Sequence, residues 1–318
     1  MSHSNTDPVL ATVLALPTVR ALPELAELAR QAATAQPRAW QLPLIVGAAH
    51  GATQHTCLPS AAAITCLQLG VILVDDLLDQ DPRGVHLRLG VGAAANLATA
   101  FLAAAGEALA QGLASPERQA VAAERLARTV SRIAWGQQRD AAPLADEGAY
   151  WQIVAAKSGA FYGLAFALGA LSSDASMADV QRLEAVGSLY GELIQIHDDL
   201  RDSLETPAST DWALGRLPLP ILYALTVPHA ERERFAELRA RLMNPDDSTP
   251  QVLSEAQSIL VRSGAVSYGL DRILTRAEEA RQLIRNSASP QPTLLLRLFD
   301  DIAAPVDDLL NGAGPGAP

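Results

Sequence analysis

The feature of this sequence that most limits its fold is the lack of any convincing run in which polar and apolar residues alternate. Alanine and leucine dominate, and β-branched residues are scattered, which favours helices over strands. Prolines mark many breaks between the apolar runs, as at Asp81-Pro82 and Ser115-Pro116. The pattern predicts an all-α protein. The predicted long helices cover residues 23–35, 59–79, 91–111, 116–139, 147–171, 178–202, 220–227, 230–241, 251–261, 265–286 and 293–311.

The length and composition of the chain place these helices in one domain. A chain of 318 residues with 49% hydrophobic residues contains enough apolar side chains for one large core. The last residues, NGAGPGAP, are rich in glycine and proline. We therefore predict a single helical domain over residues 1–310, followed by a disordered tail over residues 311–318.

Charge, targeting signals and cysteine content exclude several classes of protein. The net charge is −11 and no block is rich in basic residues, which argues against nucleic acid as a partner. The N-terminus lacks the basic segment and cleavage site of a signal peptide, and apolar stretches such as 159–171 are too short to cross a bilayer. Cys57 and Cys66 form neither a disulfide framework nor a zinc pattern. We predict a cytoplasmic protein with two buried thiols and no transmembrane segment.

Two of the predicted helices end in the same acidic pattern, D-D-x-x-D. The first copy is DDLLD at 75–79 and the second is DDLRD at 198–202. In a helix this spacing puts the first and third carboxylates on one face, with the second close beside them. One such motif is most often a solvated acidic surface, but two complete copies on apolar helices favour a site for Mg²⁺ and phosphate oxygens. The predicted ligands are Asp75, Asp76, Asp79, Asp198, Asp199 and Asp202.

Lysine is almost absent from the chain. Of 24 basic residues only Lys157 is not arginine. Codon composition is the simplest explanation for arginine usage on this scale. A single remaining lysine also indicates a position where a compact, strongly hydrated ammonium is needed instead of a planar guanidinium.

Further segments resemble one known family in both order and spacing. These segments are GQQRD at 136–140, KSG at 157–159, Gln195 ahead of the second acidic motif, and DWALGRLPLP at 211–220. Together with the two acidic motifs they make the chain resemble the trans-isoprenyl diphosphate synthase (polyprenyl synthetase) family over residues 36–225. The resemblance implies a single large helical bundle of the isoprenoid synthase type with a central active-site cavity.

The resemblance also implies an activity and a set of roles. A member of this family would use about three Mg²⁺ ions to ionise an allylic prenyl diphosphate and would transfer the prenyl group to an acceptor. Lys157 and Arg216 would bind the allylic diphosphate, while Gln137, Asp140 and Gln195 would line the site. Members of the family are usually homodimers, so a homodimer is expected here.

The part of the pattern that binds the acceptor departs from the family. Family members bind isopentenyl diphosphate with G-G-K-R-x-R-P, a histidine on the next helix, and the second arginine of R-R-G. Here the corresponding residues are AQPRAWQLP at 35–43, Gln68, and PRG at 82–84. Only Arg38 and Arg83 remain to bind a second diphosphate. The donor site therefore resembles the family pattern more fully than the acceptor site does.

Three interpretations follow from this departure. The chain transfers a prenyl group to isopentenyl diphosphate or to an uncharged or peptide acceptor; or it is a terpene synthase that uses one prenyl diphosphate; or it is a non-catalytic subunit. The complete acidic motifs and Lys157 argue against the last. One turn before Asp75, the small residues Gly70 and Val71 imply room for a prenyl chain on the order of fifteen carbons or more. Close packing on a neighbouring helix is an equally good explanation.

Overall fold

The structure is a computed structural model that describes residues 7–140 and 144–312. Every regular element in these residues is helical. The α-helices are α1 (Pro8–Ala15), α2 (Pro17–Ala21), α3 (Pro23–Ala33), α4 (Arg38–Ala49), α5 (Gln54–Asp79), α6 (His86–Leu89), α7 (Val91–Gly112), α8 (Pro116–Asp140), α9 (Glu147–Val154), α10 (Ala160–Leu171), α11 (Met177–Leu204), α12 (Thr210–Leu214), α13 (Leu219–Thr226), α14 (Arg232–Leu242), α15 (Pro250–Arg262), α16 (Ala265–Arg285) and α17 (Pro292–Gly312).

The prediction of an all-α fold is confirmed, and each predicted long helix has a counterpart. The sequence analysis did not predict α4, which has Pro43 in its interior. A proline at that position removes only the hydrogen bond to the carbonyl of Ala39, and the buried residues Trp40 and Val46 hold the helix in the core. It also missed α1 and α2, which begin at Pro8 and Pro17, the first helical position that proline favours.

The predicted helix over 147–171 contains an irregular turn. The structure divides it into α9 and α10, joined by a π-helical turn over Ala155–Gly159. A π turn adds a residue to the helical repeat and re-aims the side chains within it. Lys157 is the central residue of this turn.

The backbone of helix α11 packs directly against the backbone of this segment. A β-carbon at Gly187 would overlap the carbonyl of Tyr162, and one at Gly191 would overlap the carbonyl of Ser158. The two glycines are one turn apart, so α11 presents a groove that accepts the neighbouring backbone. This close approach brings the second acidic motif, two turns later on α11, beside the turn that carries Lys157.

Most helices share one hydrophobic core, and a smaller core lies beyond the second acidic motif. The main core is built chiefly from α4, α5, α7, α10, α11, α16 and α17. In the smaller core, Trp212 of α12 packs with Phe235 of α14 and with apolar residues of α13 and α15. Cys57 and Cys66 are buried, as predicted, and burial raises the pKa of the Cys66 thiol to about 12.

The predicted boundary at residue 310 stays a prediction. Helix α17 continues through Gly312, so the backbone of the first two residues of the predicted tail is helical. The remainder of that tail, 313–318, lies outside the described residues.

Three helical stretches are long and apolar enough to cross a membrane by length and composition alone. They are Gln54–Asp79, Val91–Gly112 and Glu147–Leu171. The prediction of no transmembrane segment stays a prediction, because the helical segment that contains 159–171 begins at Glu147 and is long enough to span a bilayer. In the fold, 67% of the most apolar window of the first and third stretches is buried, against 44% for α7. Burial in the bundle accounts for the apolar character of the first and third stretches, while α7 retains an exposed, weakly polar face.

Candidate active site

The first acidic motif occupies the last turns of α5 and faces basic and amide groups from other segments. Gln137 of α8 donates a hydrogen bond from Nε2 to Oδ1 of Asp75. The Nζ atom of Lys157 lies 3.8 Å from the same oxygen. At the end of the motif, Asp79 forms an ion pair with Arg216. The structure therefore brings together predicted site residues from α5, α8, the π turn and the loop after α12.

Lys157 lies between two acidic groups. Its Nζ atom is 2.5 Å from Oδ2 of Asp140, the last residue of α8. The side chain is 23% exposed, so it is mostly covered but still accessible to solvent. The π turn is what aims the ammonium between α5 and α8. Such turns recur at functional sites because they re-aim a single side chain.

Arg216 connects the first motif to an aspartate that the sequence analysis did not select. Its guanidinium binds Asp79 and lies 3.3 Å from Oδ1 of Asp211. Burial raises the pKa of Asp211, and the charge of Arg216 partly offsets this effect. Gly215, which ends α12 with φ of 68°, allows the chain to turn directly before Arg216. Asp211 is the first residue of the segment that resembles the family's D-x-x-x-G-K motif, so its signal was present in the sequence.

The first and third carboxylates of the second motif lie at the surface of the site. Asp198 accepts from Arg201 at 3.1 Å, and Asp202 accepts from the same guanidinium at 3.0 Å. Partial burial raises the pKa of Asp198, and Arg201 and His197 counteract it. His197 is 3.7 Å from Asp198 through Nδ1. The side chains of Asp198 and Asp202 are 40% and 29% exposed.

Asp199, the middle residue of the second motif, has a different environment. It is 6% exposed, and its carboxylate accepts hydrogen bonds from Tyr150 Oη at 2.7 Å, the Leu219 amide at 2.7 Å and Gln195 Nε2 at 2.9 Å. Burial raises its pKa to about 6, although each of these donors lowers it. The prediction grouped Asp199 with Asp198 and Asp202, but the structure places its carboxylate in the interior.

The carboxylates of the site have the chemistry that a hard divalent cation requires. Asp75, Asp79, Asp198 and Asp202 are partly exposed and offer only oxygen ligands. Burial raises the pKa of Asp76, and the nearby Asp81 and Asp75 raise it further, so negative charge is in excess there. Within residues 7–140 and 144–312, no three such side chains meet as a ready-made metal site. In the structure, four of these carboxylates pair with Lys157, Arg216 or Arg201. Binding of Mg²⁺ to these carboxylates would therefore require the three basic side chains to give up these pairs.

The two arginines that the sequence analysis predicted to bind an acceptor pair with acidic neighbours. Arg38 lies 3.8 Å from Asp301 of α17. Arg83, in the turn after α5, forms a two-point contact with Asp81 at 2.9 and 3.1 Å. Trp40 is buried and donates its indole N–H to Gln68 at 2.8 Å. A cavity of about 530 Å³ adjoins Arg38 and Trp40. Trp40 is thus a partner of Gln68 that the sequence analysis did not select.

Gly70 and Val71 do not leave open space before the first motif. A β-carbon on Gly70 would lie 3.2 Å from the Ala98 carbonyl and 3.2 Å from Leu102 Cδ2, both on α7. Val71 packs on the main core. Close packing against α7 therefore accounts for the small residue at position 70. The sequence analysis had given such packing as the alternative to room for a long prenyl chain.

Comparisons with known proteins agree with the fold. The family model described as Polyprenyl synthetase matches residues 28–259. A nonaprenyl diphosphate synthase from Mycobacterium tuberculosis is 30% identical over 248 residues, which cover 70% of each chain. Among solved structures, a geranylgeranyl pyrophosphate synthetase from Pyrococcus horikoshii has a TM-score of 0.79 and 20% identity, covering 93% of this chain and 94% of that one. A polyprenyl synthase from Caulobacter crescentus, complexed with calcium and isoprenyl diphosphate, has a TM-score of 0.76 and 24% identity, with coverages of 93% and 94%.

Proposed function

Because this chain belongs to the polyprenyl synthetase family and is a prenyltransferase, we propose that it ionises an allylic prenyl diphosphate and transfers the prenyl group to isopentenyl diphosphate. One observation carries the proposal for the donor substrate. Lys157 and Arg216 both meet the first acidic motif, through Asp75 and Asp79 respectively. Two cations beside clustered carboxylates form a site for an anion that arrives together with metal ions.

The exposed carboxylates of both motifs would hold the metal. Asp75, Asp76 and Asp79 would hold Mg²⁺ from one side, and Asp198 and Asp202 from the other. The Caulobacter crescentus relative carries calcium and isoprenyl diphosphate, which supports a divalent cation with a prenyl diphosphate here. Bound Mg²⁺ would supply positive charge to the diphosphate oxygens.

The basic residues of the chain would assist departure of the diphosphate. Lys157 would exchange its contact with Asp140 for a phosphate oxygen, and Arg216 would exchange Asp79 for another. As the allylic carbon–oxygen bond breaks, its electron pair leaves with the diphosphate, whose new charge these two cations stabilise. The carbon–carbon bond then forms between the allylic carbon and the acceptor double bond, and the acceptor loses a proton. Apolar surroundings would exclude water from the cation.

The acceptor is tested by product analysis. The purified protein is incubated with Mg²⁺ and allylic diphosphates of about ten, fifteen and twenty carbons, with and without isopentenyl diphosphate. We expect longer prenyl diphosphates only when isopentenyl diphosphate is present. Hydrocarbons or alcohols formed without it would instead identify a terpene synthase. The pairing of Arg38 with Asp301 and of Arg83 with Asp81 favours an uncharged acceptor as the second candidate; recovered allylic substrate in every arm would redirect the assay to such acceptors.

We also propose that the chain forms a homodimer through one face of α7. This α7 face consists of exposed residues without charge, namely Gly92, Asn96, Thr99, Ala103 and Ala110. The one charged residue of α7, Glu107, is partly buried and accepts the Thr18 amide, whereas a surface helix normally presents several charges to solvent. Small side chains allow a second helix to approach closely. A two-fold axis across the α7 face would bury it against its own copy.

Ala103→Arg is expected to convert the dimer to a monomer. In a two-fold interface each introduced guanidinium meets its partner's copy and would be buried without a carboxylate. Light scattering coupled to size-exclusion chromatography measures the mass directly. Ser131→Arg, at an exposed position of the charged helix α8, is the matched control and should remain dimeric. A wild-type mass equal to one chain, or an unchanged mass for Ala103→Arg, would refute this interface.

A further inference from the structure

We infer that Asp199 is a positioning residue, which Tyr150 holds in place, and that its buried carboxylate fixes where Lys157 and Arg216 stand. The inference rests on the proposed function and refines the roles within the second acidic motif. Asp198 and Asp202 face the partly exposed side of the site, where Arg201 contacts them. The carboxylate of Asp199 instead contacts three protein donors from three parts of the chain.

The first connection leads from Asp199 to the turn that carries Lys157. Gln195 donates its amide N–H to Oδ1 of Asp199 at 2.9 Å, and its amide oxygen accepts from Ser158 Oγ at 2.8 Å. Both ends of the amide are used, so its orientation is fixed by its two partners. Ser158 directly follows Lys157 within the π turn. A displacement of Asp199 is therefore transmitted through one side chain to the backbone beside the ammonium.

The second connection leads from Asp199 to the segment that carries Arg216. Oδ2 of Asp199 accepts the backbone N–H of Leu219 at 2.7 Å. Leu219 is the first residue of α13, and the residue before it, Pro218, provides no side-chain cap. Asp199 thus satisfies a free donor at the start of α13 from a different helix. The link from Arg216 to Leu219 is short and contains Pro218, so anchoring Leu219 restricts the guanidinium.

Tyr150 provides the third hydrogen-bond donor to Asp199, and three donors require a carboxylate at this position. Its hydroxyl donates to Oδ2 at 2.7 Å, and both side chains are nearly inaccessible to solvent. Three donors converge on Asp199, and an asparagine there would turn its own NH₂ group towards at least one of them. A buried donor that loses its acceptor is costly. Use of the same oxygens by a metal ion would also require these donors to leave.

Tyr150→Phe removes one donor to Asp199 without touching substrate or metal. We expect turnover to fall about 10- to 100-fold, as is typical when a partner of an active-site ligand is lost, with an unchanged Mg²⁺ requirement. Asp199→Asn should behave in the same way, and combining the two changes should cost little more than the larger single effect. Asp198→Asn should instead raise the Mg²⁺ concentration needed for half-maximal rate. Tyr268→Phe loses a comparable hydroxyl–carboxylate bond, to Glu147, and should leave the rate unchanged.

Hydrogen–deuterium exchange of the protein without substrate provides a readout independent of activity. Tyr150→Phe should accelerate exchange in both the 155–159 turn and the start of α13, whereas Tyr268→Phe should not. If the wild type turns over no allylic diphosphate, the proposed function fails while the exchange result still decides the positioning role. An Mg²⁺ requirement raised equally by Asp199→Asn and Asp198→Asn would overturn the inference, as would unchanged exchange in Tyr150→Phe.

Discussion

Lys157→Ala is expected to lower turnover by roughly a hundredfold to a thousandfold, the usual cost of losing one charged group that stabilises a leaving group. The Lys157 ammonium, in the π turn, lies 3.8 Å from a carboxylate oxygen of Asp75 and 2.5 Å from one of Asp140. Lys157→Arg should recover only part of the activity, because a planar guanidinium does not fit the space of a compact ammonium between two carboxylates. Steady-state rates with an allylic diphosphate measure both effects.

The fold should tolerate this change. A partly exposed ion pair contributes about 0–1 kcal/mol to the free energy of unfolding, so the melting temperature of Lys157→Ala should stay within about 2 °C of the wild type. Arg128→Ala, which removes an exposed charge pair with Glu124 on α8, is the control for a loss of positive charge away from the site. It should keep full activity. Near-wild-type turnover by Lys157→Ala would remove Lys157 from the proposed mechanism.

Asp75→Asn and Asp198→Asn are each expected to remove the stabilisation that Mg²⁺ and inorganic diphosphate together give the protein. A ligand that binds only the folded state at one hundred times its Kd adds about 2.7 kcal/mol to the free energy of unfolding. A carboxylate-to-amide change keeps the shape of the side chain but removes the anionic oxygen that a hard cation prefers. Thermal melts with Mg²⁺ alone, diphosphate alone and both together measure the effect, and turnover at a fixed, low Mg²⁺ concentration should fall in parallel.

A third aspartate serves as the control for this experiment. Asp300 also belongs to a pair of adjacent aspartates, but it lacks the third carboxylate of the motif, and it binds Arg281 of α16 at 2.8 Å. Asp300→Asn should retain the full ligand-induced shift. If Asp75→Asn and Asp198→Asn melt like the wild type with both ligands present, the two motifs do not form a metal–diphosphate site.

Helix ends that depend on local sequence were predictable, whereas a helix that depends on tertiary packing was not. The ends of α5, α8 and α11 were predictable because their apolar runs stop at acidic motifs or loops. Helix α4 was not, because Pro43 suggests a break from local sequence alone, and only burial against the core keeps the helix continuous. Propensity describes isolated segments, and tertiary packing overrides it.

The individual roles within the second motif depend on contacts that are distant in sequence. The D-D-x-x-D spacing places Asp199 beside Asp198 but does not say which of them faces the interior. Asp199 faces the interior because Tyr150, 49 residues earlier, and the amide of Leu219, 20 residues later, donate hydrogen bonds to its carboxylate. Gly70 is a similar case, since its small size suited either an open channel or close packing, and Leu102 of α7 decided it. For Lys157, composition drew attention to the position and the family resemblance implied its role, while its contacts with Asp75 and Asp140 required the structure.

The position of that lysine makes the chain suited to a spectroscopic measurement. Reductive methylation with ¹³C-labelled formaldehyde modifies lysine and α-amino groups and preserves their charge. In a sequence with one lysine, the NMR spectrum then contains a single side-chain methyl resonance. Since that ammonium lies between Asp75 and Asp140, its chemical shift reports the replacement of a carboxylate by a phosphate group. Ligand arrival at the leaving-group position becomes visible in solution without a crystal and without turnover.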